Sequence, residues 1–172
     1  AGLTLSSFTM SDMLWSIFDP AGQLPRDPAD LELDLTGKAK VLIDFLDPQS
    51  AEQLEQSEDI PMELDSLSIN KLLVSLVGAS LSGTGAFTFD NTDLQTFEGF
   101  PRPAGQLDLQ LKGANALLDT LINMGFVGKE EAMGARMMMG MLAVPGDSPD
   151  TLNSKIEVTD QGHVLANGQR IR

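Results

Sequence analysis

The segment Leu31-Glu32-Leu33-Asp34-Leu35 (LELDL) decides the fold, because leucine alternates strictly with an acidic residue. Successive side chains of a β-strand point to opposite faces, so a period of two predicts a strand that is apolar on one face and solvated on the other. The same alternation returns in Leu107-Asp108-Leu109-Gln110-Leu111 (LDLQL). Such regular alternation is typical of an antiparallel sheet with one wet face.

Each leucine ladder is followed by a glycine and then by a helical pattern. Gly37 precedes the pattern Val41–Leu46, and Gly113 precedes Leu117–Ile122. Glycine tolerates the backbone conformations that reverse the chain direction. We therefore predict a turn at each glycine and, after it, a helix lying on the apolar face of the sheet.

A second similarity relates two segments that lie 59 positions apart. Its apolar positions are Leu3, Leu5, Phe8 and Met10 in the first copy, and Met62, Leu64, Leu67 and Ile69 in the second. The alternation breaks at Ser6–Ser7 and again at Asp65–Ser66, which predicts a β-bulge in both copies. A short helix is predicted after each, at Ser11–Phe18 and Asn70–Val77, with Ser11 or Asn70 as the N-cap. The chain is thus predicted to hold two imperfect strand-and-helix repeats, over approximately residues 1–60 and 61–172.

Two segments connect these elements. Pro48–Asp59 is polar and rich in Glu and Gln, which fits either a linker or an exposed helix, and Phe100–Pro103 (FPRP) fits a stiff connection. Ser80–Asp90 is typical of a strand, in which Gly83 and Gly85 indicate a bulge or a close backbone approach.

The C-terminal part predicts a β-hairpin. Ser154–Val158 and Val164–Ala166 have strand character and are joined through the turn residues Asp160-Gln161-Gly162. Together these elements predict a single α+β domain over residues 1–172. We expect a curved antiparallel sheet with helices packed on one face and a C-terminal hairpin.

Charge and composition exclude several classes of function. The 172 residues carry a formal charge of −14 and no cysteine, so disulfides and thiol chemistry are absent. Nucleic-acid binding requires Lys and Arg to replace phosphate counterions, and 11 basic residues among 25 acidic ones do not supply them. The segment from Asp27 to Asp65 is the most acidic, with Lys38 and Lys40 as its only bases. It fits a solvated face, a docking surface for a basic partner or a weak divalent-cation site.

No set of residues predicts catalysis, and no cofactor or metal ligand is predicted. His163 is the only histidine, whereas a catalytic triad or a zinc site needs several partners. The carboxylates of Glu32 and Asp34 fall on the wet face of a strand, and those of Glu130 and Glu131 fall in the first turn of a helix, where they complement its dipole. Each therefore has a structural explanation.

The methionines are the side chains best suited to bind a ligand. Five of them crowd the predicted helix Glu130–Leu142, which is apolar nearly all round and is expected to be buried or covered. Methionine fills irregular gaps in protein cores, but flexible apolar side chains also form deformable linings for lipid-like ligands. The candidate ligand-binding residues are Met133, Met137, Met138 and Met141.

Phrases in the second half of the chain resemble a known family. The phrases are Gly85-Ala86-Phe87, Gly105-Gln106-Leu107, Glu131–Met137 (EAMGARM), Pro149–Leu152 (PDTL) and Gly162–Arg170 (GHVLANGQR). They resemble an uncharacterised alphaproteobacterial family of envelope proteins, domain of unknown function 2125, which is more distantly similar to the AsmA-like proteins. The resemblance implies a periplasmic protein, membrane-anchored at full length, of which this chain is a fragment. It implies no catalytic residues.

Two hypotheses of function follow. The first is a non-enzymatic periplasmic envelope protein that binds a lipid or another apolar ligand in a concave groove between sheet and helices. The alternative is a protein-interaction or assembly module that docks a membrane complex through its acidic face or a strand edge.

Overall fold

The computed structural model describes residues 1–42 and 62–172, and this part of the chain forms one antiparallel sheet with three helices. The strands are β1 (Gly2–Phe8), β2 (Ala29–Val41), β3 (Met62–Leu76), β4 (Ala79–Asp90), β5 (Arg102–Lys112), β6 (Val144–Pro145), β7 (Thr151–Val158), β8 (Val164–Ala166) and β9 (Gln169–Arg170). The helices are α1 (Asp12–Phe18), α2 (Ala114–Asn123) and α3 (Lys129–Leu142). The strands follow each other across the sheet in chain order, except that β6 pairs with β7 beside the main path. The predicted antiparallel sheet of an α+β protein is confirmed.

The strand register aligns the apolar residues in rows across the sheet. One row, here called the first row, consists of Leu5, Leu31, Val74, Leu81, Leu111 and Leu152. The second row consists of Leu3, Leu33, Leu72, Gly83, Leu109 and Ser154. Both leucine ladders are confirmed as strands, and their leucines share one face because residues two apart in a strand point the same way.

The helices lie on this apolar face. Side chains of α3 line one cavity together with Leu81, Leu109 and Leu152 of the sheet. At the other end of the sheet, Trp15 of α1 lies beside Phe8 and Leu76. The predicted helices Ser11–Phe18 and Glu130–Leu142 are confirmed within one residue, and the helix predicted at Leu117–Ile122 is confirmed but begins three residues earlier, at Ala114.

The predicted bulges are confirmed as well. Ser6 and Ser7 together face Asp30 of β2, where the backbone N–H of Ser7 donates to the Asp30 carboxylate at 2.8 Å. In β3, Asp65 is the extra residue, because Leu64 pairs with Ala39 while Ser66 pairs with Lys38. Bulges of this kind bend a strand and strengthen its twist.

The helix predicted at Asn70–Val77 is wrong, because these residues continue β3 as far as Leu76. The apolar run Leu72-Leu73-Val74 has no clear period of two, and a short run of this kind does not distinguish a buried strand from a helix. Here β3 pairs with β2 on one side and β4 on the other, and this ladder decides the conformation. The likeness of the two halves therefore rests on strands alone, and the internal repeat stays a prediction.

The turn predicted at Gly37 is also wrong. Gly37 lies inside β2 and pairs with Leu67, and the strand continues through Val41. The remainder of the helix predicted at Val41–Leu46, from residue 43 onward, and the connection predicted at Pro48–Asp59 lie outside the described residues. At Gly113, in contrast, the predicted turn is confirmed, with a left-handed φ of 73° between β5 and α2.

The connection predicted at Phe100–Pro103 is shorter than expected. Arg102 and Pro103 already belong to β5 and pair with Asp90 and Phe89 of β4. Proline is tolerated here because β5 has no partner on its other side until Gly105, which pairs with Val158.

Candidate functional site

An apolar cavity of about 400 Å³ lies between α3 and the sheet. Its lining comprises Leu81, Leu109, Leu111, Ala135, Met138, Met139, Leu142, Ala143, Leu152, Ser154 and Ile156. This volume is within the range of roughly 300–1,000 Å³ that is typical of small-molecule sites. We refer to it as the apolar cavity.

Small residues in the second row create the space. Leu109 is flanked by Gly83 on one side and Ser154 on the other, so the row lacks the large side chains that would fill the gap under the helix. Leu109 leans over Gly83, because a Cβ built there would lie 2.6 Å from the Leu109 Cδ2 atom. The close approach predicted for this strand is therefore confirmed at Gly83.

One face of α3 forms the roof of the cavity. Ala135, Met138, Met139 and Leu142 follow the spacing i, i+3, i+4, i+7, which places them on one side of a helix. One turn earlier, Ala132 is completely buried, and its small side chain allows the helix to approach its neighbours closely. The roof therefore consists of small and flexible apolar residues.

The methionines of α3 divide between two faces, and the expectation that this helix is buried all round is wrong. Met133, Met137 and Met141 lie on the outer face with 66%, 67% and 63% of their surface exposed. Met138 is also largely exposed but lies at the cavity. Of the four candidate ligand-binding residues the structure thus brings only Met138 to the cavity, and a role of the four in binding stays a prediction.

Polar contacts fix α3 at its end. The carbonyl oxygen of Leu142 accepts hydrogen bonds from the Ser154 hydroxyl at 2.5 Å and from the Asn167 side-chain amide at 3.0 Å. In the middle of the helix, Arg136 donates to Asn115 at 3.1 Å and to Asp119 at 2.6 Å, both on α2. These contacts hold the roof over the sheet with few buried side chains beneath it.

Asp150 ties α2 to the start of β7. Its carboxylate accepts hydrogen bonds from the backbone N–H groups of Asn115 and Ala116 at 3.1 and 2.9 Å and from the Asn115 side chain at 2.9 Å. Partial burial by itself would raise the pKa of Asp150, but the hydrogen bonds from Ala116 and Asn115 and the charge of Arg136 hold it below its ordinary value of 3.8. The charged form of Asp150 therefore stabilises the first turn of α2.

The lining of the apolar cavity offers mainly apolar contacts. Ser154 contributes the polar side chain of the lining, and its hydroxyl is already engaged by Leu142. Asp, Glu, His, Lys and Arg do not occur in the lining. Acid–base catalysis needs a titratable group within reach of the substrate, so these lining residues are suited to hold a neutral apolar chain.

A larger depression, of about 560 Å³, crosses the opposite face of the sheet. Its polar side chains already contact one another or a neighbour: Gln110 donates to Asn153 at 3.0 Å, and Lys71 pairs with Glu32 at 2.7 Å. This surface is open, and most of the side chains that line it carry polar groups. We interpret it as the solvated face that the alternating sequence predicts.

The remaining sequence candidates lie apart from the cavity. The backbone N–H of His163 donates to the Thr159 hydroxyl next to the turn after β7. Within residues 1–42 and 62–172, no three His, Cys, Asp or Glu side chains come together as a metal site would require. None of the helices in this part of the chain has both the length and the apolarity that crossing a bilayer requires.

Sequence reasoning missed Met139, Leu142 and the sheet residues of the cavity. The available signal was the spacing of Ala135, Met138, Met139 and Leu142, which is as regular as that of the outer methionines. Because both faces of the helix are apolar, composition alone did not distinguish the face that meets the sheet.

Comparison with known proteins identifies a family but no characterised relative. No curated protein and no solved structure matches the chain. Residues 5–168 match the family model DUF2125, described as an uncharacterised protein conserved in bacteria, and the chain therefore belongs to this family.

Proposed function

We propose that this protein is a non-enzymatic, periplasmic protein of the cell envelope that binds a lipid or another apolar chain. The single observation that carries the proposal is the apolar cavity between α3 and the sheet, with its lining of Leu, Ile, Met and Ala side chains. The periplasmic location and the membrane anchor at full length rest on the resemblance of the sequence phrases to envelope proteins.

Two features of the cavity favour an apolar chain as the ligand. Burial of apolar surface stabilises a complex by roughly 25 cal/mol for each Å² removed from water. An uncharged apolar chain is therefore the ligand that this lining favours. Roof residues Met138 and Met139 have several rotatable bonds, and they can adapt to chains of different shape. The site is thus suited to a class of apolar chains rather than to one rigid molecule.

Binding is tested with a neutral apolar dye, N-phenyl-1-naphthylamine, whose fluorescence rises in an apolar site. Ala135→Phe places a ring at the cavity and is expected to weaken dye binding at least tenfold, because it occupies the space of the ligand. Met137→Phe is the matched control, since it adds a ring on the outer face of the same helix and is expected to leave binding unchanged. Equal binding by the two variants and the parent protein would contradict the proposal.

A second experiment addresses the natural ligand. Native mass spectrometry of protein purified without detergent, followed by solvent extraction, is expected to reveal a co-purifying lipid. The parent protein should carry more of it than Ala135→Phe. A ligand-free parent protein that also fails to bind the dye would exclude the binding function.

A second candidate function is an assembly module that docks a membrane complex through a strand edge. The observation that favours it is β1, an edge strand of the sheet whose seven residues are all exposed. Among residues 1–42 and 62–172 no strand pairs with its outer side, so its outward backbone N–H and C=O groups can pair with a strand of another chain. Pull-down of envelope proteins with the parent chain, compared with Thr4→Pro, tests this candidate. Capture that is equal for the two chains would contradict it.

A further inference from the structure

One end of the apolar cavity is polar. There Ser154 of β7 meets Leu142 and Ala143, where α3 ends. The Ser154 hydroxyl donates to the Leu142 carbonyl at 2.5 Å. A carbonyl oxygen has no proton, so the direction of this bond is fixed and the single proton of the hydroxyl is committed to it. The Ser154 Oγ atom therefore offers a ligand only its lone pairs.

Two further donors at this end are also engaged. The backbone N–H of Ala143 donates to the Met139 carbonyl at 2.8 Å, and the side-chain amide of Asn167 donates to the Leu142 carbonyl at 3.0 Å. The side-chain oxygen of Asn167 accepts a hydrogen bond from the Lys155 N–H at 2.9 Å, which fixes the orientation of the amide. A ligand that reaches this end of the cavity therefore meets hydrogen-bond acceptors rather than donors.

The helix dipole adds negative potential at the same place. The C-terminal end of a helix carries a partial negative charge, and α3 ends here at Leu142. Its last turn, which the structure describes in full, contains no basic residue that would neutralise this charge. The adjacent Lys155 lies on the opposite face of β7 and pairs with Glu157 at 3.2 Å. The net charge of −14 acts in the same direction, so an anionic group is disfavoured at this end.

We propose that the apolar cavity binds an uncharged apolar chain that ends in a hydroxyl group, and that this hydroxyl donates to the Ser154 Oγ atom. The inference rests on the proposed function and specifies its class of ligand. A hydroxyl supplies the proton that this end of the cavity lacks, whereas an ether, an ester or a carboxylate adds only acceptors. A protonated amine can also donate, but its charge is costly to bury among apolar side chains. The structure therefore favours a long-chain alcohol, or a lipid with a free hydroxyl, over a fatty acid.

Displacement of N-phenyl-1-naphthylamine from the parent protein at neutral pH compares three ligands with chains of similar length. The ligands are 1-decanol, its isomer nonyl methyl ether, which has no hydrogen-bond donor, and decanoate, which is ionised. All three are kept below the concentrations at which they aggregate. We expect 1-decanol to displace the dye at about one fifth of the ether concentration, because the isomers differ by one hydrogen bond to the protein. Decanoate is expected to require roughly tenfold more than 1-decanol, since its carboxylate finds no donor.

A charge placed at the polar end is expected to reverse this preference. Ala143 is partly exposed at the end of the cavity, so the ammonium group of Ala143→Lys can stay in contact with water and still reach a ligand head. We expect the concentration of decanoate that displaces the dye, relative to that of 1-decanol, to fall roughly tenfold. Met137→Lys carries the same charge on the outer face of α3 and is the matched control, expected to leave this ratio unchanged. Circular dichroism shows whether both variants retain the fold.

The comparison of the two isomers is decisive, because they contain the same atoms. Equal displacement by 1-decanol and nonyl methyl ether would overturn the inference and leave the binding of apolar chains standing. Decanoate that binds the parent protein as tightly as 1-decanol does, or an unchanged ratio in folded Ala143→Lys, would also overturn it. If Ala143→Lys does not fold, the isomers decide on the parent protein alone. A parent protein that binds neither the dye nor 1-decanol would exclude the inference together with the proposed function.

Discussion

The two halves of the sheet share one apolar face, but the helices cover this face to different extents. In the half formed by β4, β5 and β7, α3 lies over the leucines and encloses the apolar cavity with them. In the half formed by β1, β2 and β3, the first and second rows continue, but Leu3 and Leu5 are 59% and 47% exposed. The covered half shows how the chain stabilises its fold, and the other half, here called the open half, exposes apolar side chains within the part of the chain that the structure describes. Substitutions at matched positions in the two halves test this difference.

The largest difference is expected for glycine. Gly105 of the covered half has a φ of 154°, and an added Cβ would overlap with the Ala86 carbonyl and lie 2.8 Å from Phe87 Cα. Gly105→Ala should therefore lower the free energy of unfolding by about 3 kcal/mol or more, as backbone strain and overlap act together. At Gly37 of the open half the nearest atom to an added Cβ is 3.5 Å away. Gly37→Ala is therefore expected to change the free energy of unfolding by less than about 1 kcal/mol. Urea denaturation measures both, and equal losses would refute the difference in packing.

A smaller difference is expected for leucine. Leu109 forms the floor of the cavity under α3. Leu109→Ala should lower the free energy of unfolding by about 2 kcal/mol, at the lower end of the range for core leucines, because Leu109 is only partly buried and space already exists beside it. Leu3→Ala should lower the free energy of unfolding by about 1 kcal/mol or less, since most of the Leu3 side chain is exposed to water. The comparison is made by urea denaturation of the two variants at the same protein concentration. A larger loss for Leu3→Ala would indicate that the open half is covered in solution.

Acid is expected to weaken the covered half through its carboxylates. Hydrogen bonds lower the pKa of Asp150, and Thr92 and the Thr96 N–H do the same for Asp90 and Asp93. A lowered pKa in the folded state contributes stability that is present above the unfolded value and is lost as the pH falls through the folded value. The unfolding midpoint should therefore decrease below about pH 4. Asp150→Asn should have a lower midpoint at neutral pH and a flatter profile in acid, and a profile parallel to that of the parent protein would contradict this role.

The smallest effect is expected on the outer face of α3. Met137→Lys places a charge in water and should change the free energy of unfolding by less than about 0.5 kcal/mol. Met139→Lys places the same charge at the roof of the cavity. It should lower the free energy of unfolding by more than Met137→Lys does, and it should abolish dye binding. Thermal unfolding and dye titration of the pair measure both effects. Equal loss in the two variants would mean that the outer face is also covered.

The strands with regular alternation could be predicted from the sequence. In LELDL and LDLQL a period of two places the polar side chains on one face, which must be exposed to solvent, and the leucines on the other. The helices with clear caps or long apolar patterns could also be predicted. Asn70–Val77 could not, because pairing with β2 and β4 outweighed its local pattern. Gly37 shows a similar limit, since a glycine after a ladder can continue the strand when its partner, Leu67, extends beside it.

The site was predicted less well than the fold. The sequence located the helix that lines the cavity but did not distinguish its faces, because Met133, Met137 and Met141 are as regularly spaced as the residues that line the cavity. Of the four candidate methionines only Met138 lies at the cavity. Which face meets the sheet depends on where α3 is attached. Arg136 and the carbonyl of Leu142 make these attachments to partners distant in sequence, and no local pattern contains them.

The outer methionines of α3 have a further consequence for the protein in an oxidising environment. Exposed thioethers are converted to sulfoxides before shielded ones, so we expect Met133, Met137 and Met141 to react ahead of Met139. A sulfoxide on the outer face adds polarity where the side chain already meets water. Peroxide should therefore consume these three residues, and Met138, which is 61% exposed at the cavity, before it reaches Met139.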